Sequence, residues 1–183
     1  HVLSVLALLL LVSPLCRAQQ YGEKYRPQYH FSPAKGWIGD PDGLVYTGGQ
    51  FHLYWWGHAI SEDLVHWQEQ PRPMKGDDGS FSYFSGSVVV DRDNTSGFGE
   101  DAMLAFYTMH YPGDSLPETQ AISISRDGGM SYQFYDKNPV LDIGQVFFRD
   151  PQVFWYEPDG EWKMVVSRPD VQLIYIYESD NLK

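Results

Sequence analysis

The 183-residue sequence contains a single cysteine, Cys16. One thiol cannot close a disulfide within a chain, so a stable fold must rest on packing rather than on covalent staples. Positive charge is also scarce: 13 Lys and Arg stand against 24 Asp and Glu, a formal net charge of −11. That balance makes nucleic acid and an anionic membrane poor partners, and a neutral or cationic ligand easier to accept. No apolar run reaches the ~20 residues a membrane-spanning helix needs. The Gly-rich phosphate loop and the Gly-x-Ser-x-Gly elbow are both missing, which removes the usual signs of a nucleotide site or a serine hydrolase. Low-complexity segments and amphipathic helical patterns of useful length are missing too.

Aromatic residues, by contrast, make up 16% of the chain, and 17 Gly and 12 Pro are scattered through it. That combination excludes a disordered chain and suits an all-β protein with many turns. Residues 2–12 are a short Leu-rich run, and Cys16-Arg17-Ala18 follows with small residues placed for cleavage after Ala18. Residues 1–18 therefore read as a secretory signal peptide. The chain opens on His1 with no basic segment before the apolar run, so the expected start of the signal lies upstream. Removal of the signal would take Cys16 with it. In a secreted protein Asn94-Thr95-Ser96 is a glycosylation acceptor.

Residues 19–183 contain a loose internal repeat. Asp40-Pro41-Asp42-Gly43-Leu44-Val45-Tyr46 resembles Asp150-Pro151-Gln152-Val153-Phe154-Trp155-Tyr156, and each leads through a turn into an apolar strand, residues 51–56 and 162–166. A middle copy runs from Phe84-Ser85-Gly86-Ser87 through residues 102–108. The copies close alike, at Ser61-Glu62-Asp63, Ser125-Arg126-Asp127 and Ser179-Asp180-Asn181, where a short polar side chain can bind the turn's own backbone. Such units predict the blades of a β-propeller, each a small antiparallel sheet of roughly 40–50 residues. The sequence holds about three, fewer than the roughly four or more that usually close a ring. It therefore reads as the N-terminal part of a propeller, with unpaired edges and an exposed apolar face.

In a propeller the first strand of each blade lines the central channel. The repeat then places Asp40, Ser85 and Asp150 at the starts of inner strands, converging at one mouth. Paired carboxylates suit glycosidic bond cleavage, in which one attacks the anomeric carbon or supports its developing charge. Trp37 and Phe84 would stack on a sugar face, and Arg149 would hold Asp150 ionised and bind hydroxyls. Taken singly each residue has a plainer reading. Asp40 is a turn residue, Asp150 a cap or ion-pair partner of Arg149, Trp37 a packing residue, Ser85 a strand hydroxyl, and Trp55-Trp56 core. His52, His58 and His66 lack the spacing of a metal site, and no metal or cofactor is expected.

Four stretches in order resemble glycoside hydrolase family 32, the invertases, exo-inulinases and levanases. They are Trp37 to Gly43 after Gln28-Tyr29-His30-Phe31-Ser32-Pro33, then Gly57-His58-Ala59 with the following Ser61 to Trp67, then Phe84-Ser85-Gly86-Ser87, and Phe148-Arg149-Asp150-Pro151. The resemblance implies a five-bladed propeller acting on β-fructofuranosides by a retaining mechanism. It implies Asp40 as nucleophile, Asp150 as transition-state stabiliser, and Trp37, Phe84, Ser85 and Arg149 in the fructose subsite. Its partner would be a fructose-containing oligo- or polysaccharide. The chain departs from the family motif at Gly39 and Asp42, both Asn in the family, and lacks the loop with a substrate-binding Gln between Tyr54 and Gly57. The family's acid/base Glu falls in a Glu-Cys motif after Asp150 that this sequence does not reach, so the chain by itself is expected to be inactive. The competing expectation is a non-catalytic propeller that binds a carbohydrate or a protein.

Overall fold

The computed structural model describes residues 22–27, 29–75, 79–113 and 115–183. The expected signal peptide, Cys16, Gln28 and residues 76–78 of the connector lie outside the described residues.

Among the described residues the chain forms three antiparallel sheets and one short 3-10 turn, Pro169–Val171. The first sheet runs β1 (Gly43–Thr47), β2 (Gln50–Tyr54), β3 (His58–Ser61) and β4 (Trp67–Gln70). The second runs β5 (Ser82–Asp91), β6 (Ala102–His110), β7 (Thr119–Ser125) and β8 (Gln133–Phe134). The third runs β9 (Arg149–Tyr156), β10 (Glu161–Arg168) and β11 (Leu173–Ser179). Strand neighbours in each sheet follow chain order, so every sheet is a meander. β5 packs against both β1 and β9, which sets the three first strands side by side as the inner strands of β-propeller blades.

Local chemistry accounts for the turns. Thr47 pairs with Gln50, leaving Gly48-Gly49 as a two-residue hairpin with φ of 58° and 83°, which glycine adopts without steric cost. The three closing motifs behave alike. The Ser61 and Ser125 hydroxyls donate to Asp63 and Asp127, Asp63 Oδ1 accepts the Val65 and His66 amides, and Asn181 Oδ1 accepts the Lys183 amide.

The middle blade supplies most of the core. β6 is buried along nearly its whole length, and its alternate residues serve two different cores. Met103, Ala105, Tyr107 and Met109 pack toward Tyr54 and Trp56 of the first blade. Ala102, Leu104 and Phe106 pack with Val153 and Trp162 of the third. A strand covered on both faces has no solvent side, which is why Ala102 to Met109 reads as a nearly continuous apolar run. The connector after β4 is less polar than expected: Pro73 and Met74 are buried, and Pro73 accepts the Tyr132 amide at 2.9 Å. On the third blade Leu173, Ile174 and Ile176 are exposed.

Candidate active site

The turn into β1 is tied down at Asp42, whose amide donates to Tyr54 O at 2.8 Å. Gly43 follows because β1 and β5 nearly touch there; a Cβ would lie 2.7 Å from Val88 Cγ2. Asp40 sits on the open side of this turn, exposed, and its Oδ2 accepts the Ser85 hydroxyl at 2.7 Å.

Ser85 lies within β5 rather than at its start, on a β-bulge. Phe84 pairs with Thr108 and Gly86 with Tyr107, so Ser85 has no partner on β6 and its side chain is re-aimed toward Asp40. The freed Gly86 amide donates to Asp42 Oδ1 at 3.1 Å.

Asp150 stands on a second bulge. Arg149 pairs with Ser167 and Gln152 with Val165, leaving Asp150 and Pro151 opposite one residue of β10. The bulge removes the need for a ladder donor at Pro151. It also holds Asp150 at φ 63°, a left-handed conformation costing about 1–2 kcal/mol, which the surroundings must overdetermine. A buried polar chain does so: the Asp150 amide donates to Thr108 Oγ1, Thr108 donates to Gln120 Oε1, and Gln120 Nε2 donates to Phe148 O.

Arg149 corrects one expectation. Its guanidinium turns to Glu118, with Nε 2.8 Å from Oε2 and Nη2 on Oε1, instead of forming a pair with Asp150. Glu118 is buried at 2% exposure and also meets His110 Nδ1 at 2.8 Å. His110 stacks on Phe84 with centroids 4.1 Å apart, and the Arg149 guanidinium lies 5.5 Å from that ring. Burial pushes the Asp150 carboxyl above the usual carboxylate range; the Arg149 charge opposes this, and those of Asp40 and Glu118 add to it. The Arg149 charge thus opposes the rise without cancelling it. Glu118→Ala would leave Arg149 and His110 without their carboxylate partner. A stability loss of about 3 kcal/mol is expected by urea denaturation, toward the low end for a broken buried pair because Arg149 keeps 24% exposure. Unchanged stability would remove Glu118 from the scaffold of the site.

Trp37, Asp40, Asp42, Ser85, Arg149 and Asp150 line one funnel of about 710 Å³, within the range of small-ligand sites. Phe84, Trp55 and Tyr83 add aromatic wall to it. The Trp37 indole is 85% exposed and folds over Gly39, where a Cβ would lie 3.3 Å from the ring. Trp56 is buried, its Nε1 donating to Phe84 O, whereas Trp55 is half-buried. His52 and His58 stack on each other with centroids 5.2 Å apart, while His66 lies exposed on Asp63, so the three histidines do not converge. Asn94 is exposed on the β5–β6 loop and accepts the Gly99 amide at 2.7 Å.

Sequence reasoning passed over Glu118, His110, Thr108 and Gln120. Their only trace is polar residues set in or beside the apolar strands β6 and β7. Chemically, the funnel offers carboxyl groups, the Ser85 and Tyr83 hydroxyls, the Arg149 guanidinium and aromatic walls. That set suits an uncharged polyhydroxyl ligand in which positive charge develops.

Residues 30–183 match the family model for the glycosyl hydrolases family 32 N-terminal domain. The extracellular exo-inulinase of Aspergillus awamori is 41% identical over 91% of this chain. A crystal structure of exo-inulinase from that organism superposes with a TM-score of 0.80 at 40% identity, covering 89% of this chain and 39% of the other. A structure of β-fructofuranosidase from Schwanniomyces occidentalis complexed with fructosyl-erythritol superposes with a TM-score of 0.79 at 41% identity, covering 86% and 35%. The chain spans 38% of the length of the A. awamori relative.

Proposed function

The chain belongs to glycosyl hydrolase family 32, and from that membership we propose that it forms the funnel of a secreted β-fructofuranosidase, acting with retention on sucrose, inulin or levan. Residues 19–183 are the mature N-terminal part of its catalytic propeller. The observation that carries this reading is the hydrogen bond from Ser85 to Asp40 across two blades, at the funnel that Asp150 also lines.

Asp40 is the nucleophile. Ser85 binds Oδ2 and leaves Oδ1 available to attack the anomeric carbon of fructose. Asp150, poised above the ordinary carboxylate range, holds fructose hydroxyls and supports the oxocarbenium-like charge of the transition state. Trp37 and Phe84 offer aromatic faces to the sugar, and Arg149, locked by Glu118, presents its remaining N–H donors. Proton delivery to the leaving oxygen falls to the acid/base Glu of the family's later motif; losing such a group costs about 10²–10⁴ in rate. Secretion fits the relatives named extracellular, and no helix among the described residues is long and apolar enough to cross a membrane. Asn94 would then carry a glycan, visible as a mass loss on enzymatic deglycosylation.

The decisive assay incubates the intact protein with sucrose, inulin and levan and follows free fructose. Release of fructose, first as the β-furanose by early NMR, is the expected result. Fructan binding without release would favour the non-catalytic propeller, and no interaction with any fructoside would end the proposal.

A further inference from the structure

Asp42 has no part in the chemistry just described, yet it is one of the most constrained polar groups in the funnel. It is 4% exposed, and its Oδ1 accepts the Gly86 amide at 3.1 Å. Ser85, the residue before Gly86 on the bulge, also acts on its carboxyl. But Ser85 owns one hydroxyl hydrogen, and that hydrogen points to Asp40 Oδ2 at 2.7 Å. Two carboxyl groups therefore flank a single donor. Ionised together they would compete for it, and the buried one would hold an uncompensated charge. A neutral Asp42 removes the conflict. Its O–H donates to Ser85 Oγ, Ser85 donates onward to Asp40, and the other Asp42 oxygen keeps the Gly86 amide.

The charges around Asp42 favour the neutral form. Asp40 faces it from its own turn and Asp150 from β9. Arg149, also on β9, is engaged by Glu118. His58 of β3 lines the funnel too, but burial pushes its imidazole down to about 4, and Tyr83 of β5 carries no positive charge. Lys35, Glu69 and Arg72 also line the funnel but are exposed, where water screens them. Burial first, opposed by the Gly86 and Ser85 hydrogen bonds and reinforced by the charges of Asp40 and Asp150, pushes the Asp42 carboxyl up to about 7.

We propose, building on the fructosidase reading of this funnel, that Asp42 is a positioning residue that works as a neutral acid. The chain Asp42 to Ser85 to Asp40 presents the nucleophile, and loss of the Asp42 proton to solvent takes Ser85 away from Asp40. The site then has an alkaline limit set by a group that does not touch the reacting atoms.

The test compares this chain with its Asp42→Asn variant, which keeps an N–H donor and cannot ionise. Carbon-detected NMR of the unmutated chain should show the Asp42 carboxyl titrating near pH 7. Stability carries the same sign. A carboxyl raised on folding contributes fully below its unfolded value, near 4, and that contribution is lost as pH rises through about 7. The unmutated chain should therefore melt progressively lower from pH 4 to 8, and the variant should not follow. Fructose and sucrose are the binding probes. With roughly one tenth of Asp42 neutral at pH 8, apparent affinity should fall about tenfold between pH 5 and 8, against less than about twofold in the variant. An Asp42 carboxyl that titrates below pH 5 overturns the proposal, and so does a variant that keeps the unmutated pH dependence. If neither protein binds a fructoside at any pH, the fructosidase reading fails, while the titration and the melting comparison still decide the state of Asp42.

Discussion

Asp40→Asn in the intact protein is expected to lower fructose release from sucrose by a factor on the order of 10⁴–10⁶, with little change in KM. The amide is nearly isosteric with the carboxylate and still offers an oxygen to the Ser85 hydroxyl that now binds Oδ2 at 2.7 Å. The turn should survive as well, because it is anchored through the Asp42 amide and Gly43 and not through the Asp40 side chain. What disappears is the anionic oxygen that forms the covalent bond to fructose. The loss should therefore fall on kcat, with fructose binding and the melting temperature close to those of the unmutated protein. Steady-state kinetics beside a melting curve measure all three. A loss of only tenfold would show that Asp40 is not the nucleophile, and a matching loss of binding would make it a substrate contact instead.

Gly86→Ala should produce the largest loss of stability. A Cβ at Gly86 would lie 1.9 Å from Phe106 O, 2.8 Å from Phe106 C and 2.9 Å from Tyr107 Cα. All three are backbone atoms of β6, so no flexible side chain can swing aside. Relief requires β5 to separate from the strand whose two faces serve both cores. The bulge at Ser85 and the Asp42 bond to the Gly86 amide would go with it. A cost above about 4 kcal/mol is expected, against total stabilities of roughly 5–15 kcal/mol for ordinary domains. Melting should drop by about 10 °C or more, or the variant should accumulate in insoluble form. Gly22→Ala is the control: no atom approaches its Cβ position within 4 Å, and its effect should stay within about 0.5 kcal/mol. A Gly86→Ala protein that melts with the control would mean that β5 and β6 are not this close.

The fold was legible to a large extent because its signals are local. The continuous apolar run of residues 102–107, the Gly48-Gly49 hairpin and the Ser-x-Asp closures each depend on residues within a few positions of one another. The repeat added the one non-local inference, that first strands line a common channel, and β5 does pack against both β1 and β9. That register put Asp40 and Ser85 at the same mouth, and the bulge at Ser85 then turned its hydroxyl to Asp40.

Other features of the site depend on where distant segments meet, and the sequence carries no mark of that. Arg149 is adjacent to Asp150 in the chain, so a pair between them was the natural reading. The third blade instead brings the guanidinium to Glu118, 2% exposed, where charge and geometry are better satisfied. Gly86 beside the Ser85 bulge is required because Phe106 O leaves no room for a side chain, and Pro151 is tolerated because the Asp150 bulge needs no amide from it. Both causes act between strands. Asp42 is the clearest case. In the sequence it is one more acid in a turn that already contains Asp40. Whether it is charged is a matter of burial and of one hydroxyl shared with its neighbour, set by Gly86 and Ser85 from the adjacent blade. The chain's residues determined by themselves which strands form and that Asp40, Ser85 and Asp150 share one mouth. The protonation and aim of those groups were decided only by tertiary structure, because desolvation and hydrogen-bond competition depend on neighbours that the linear order does not contain.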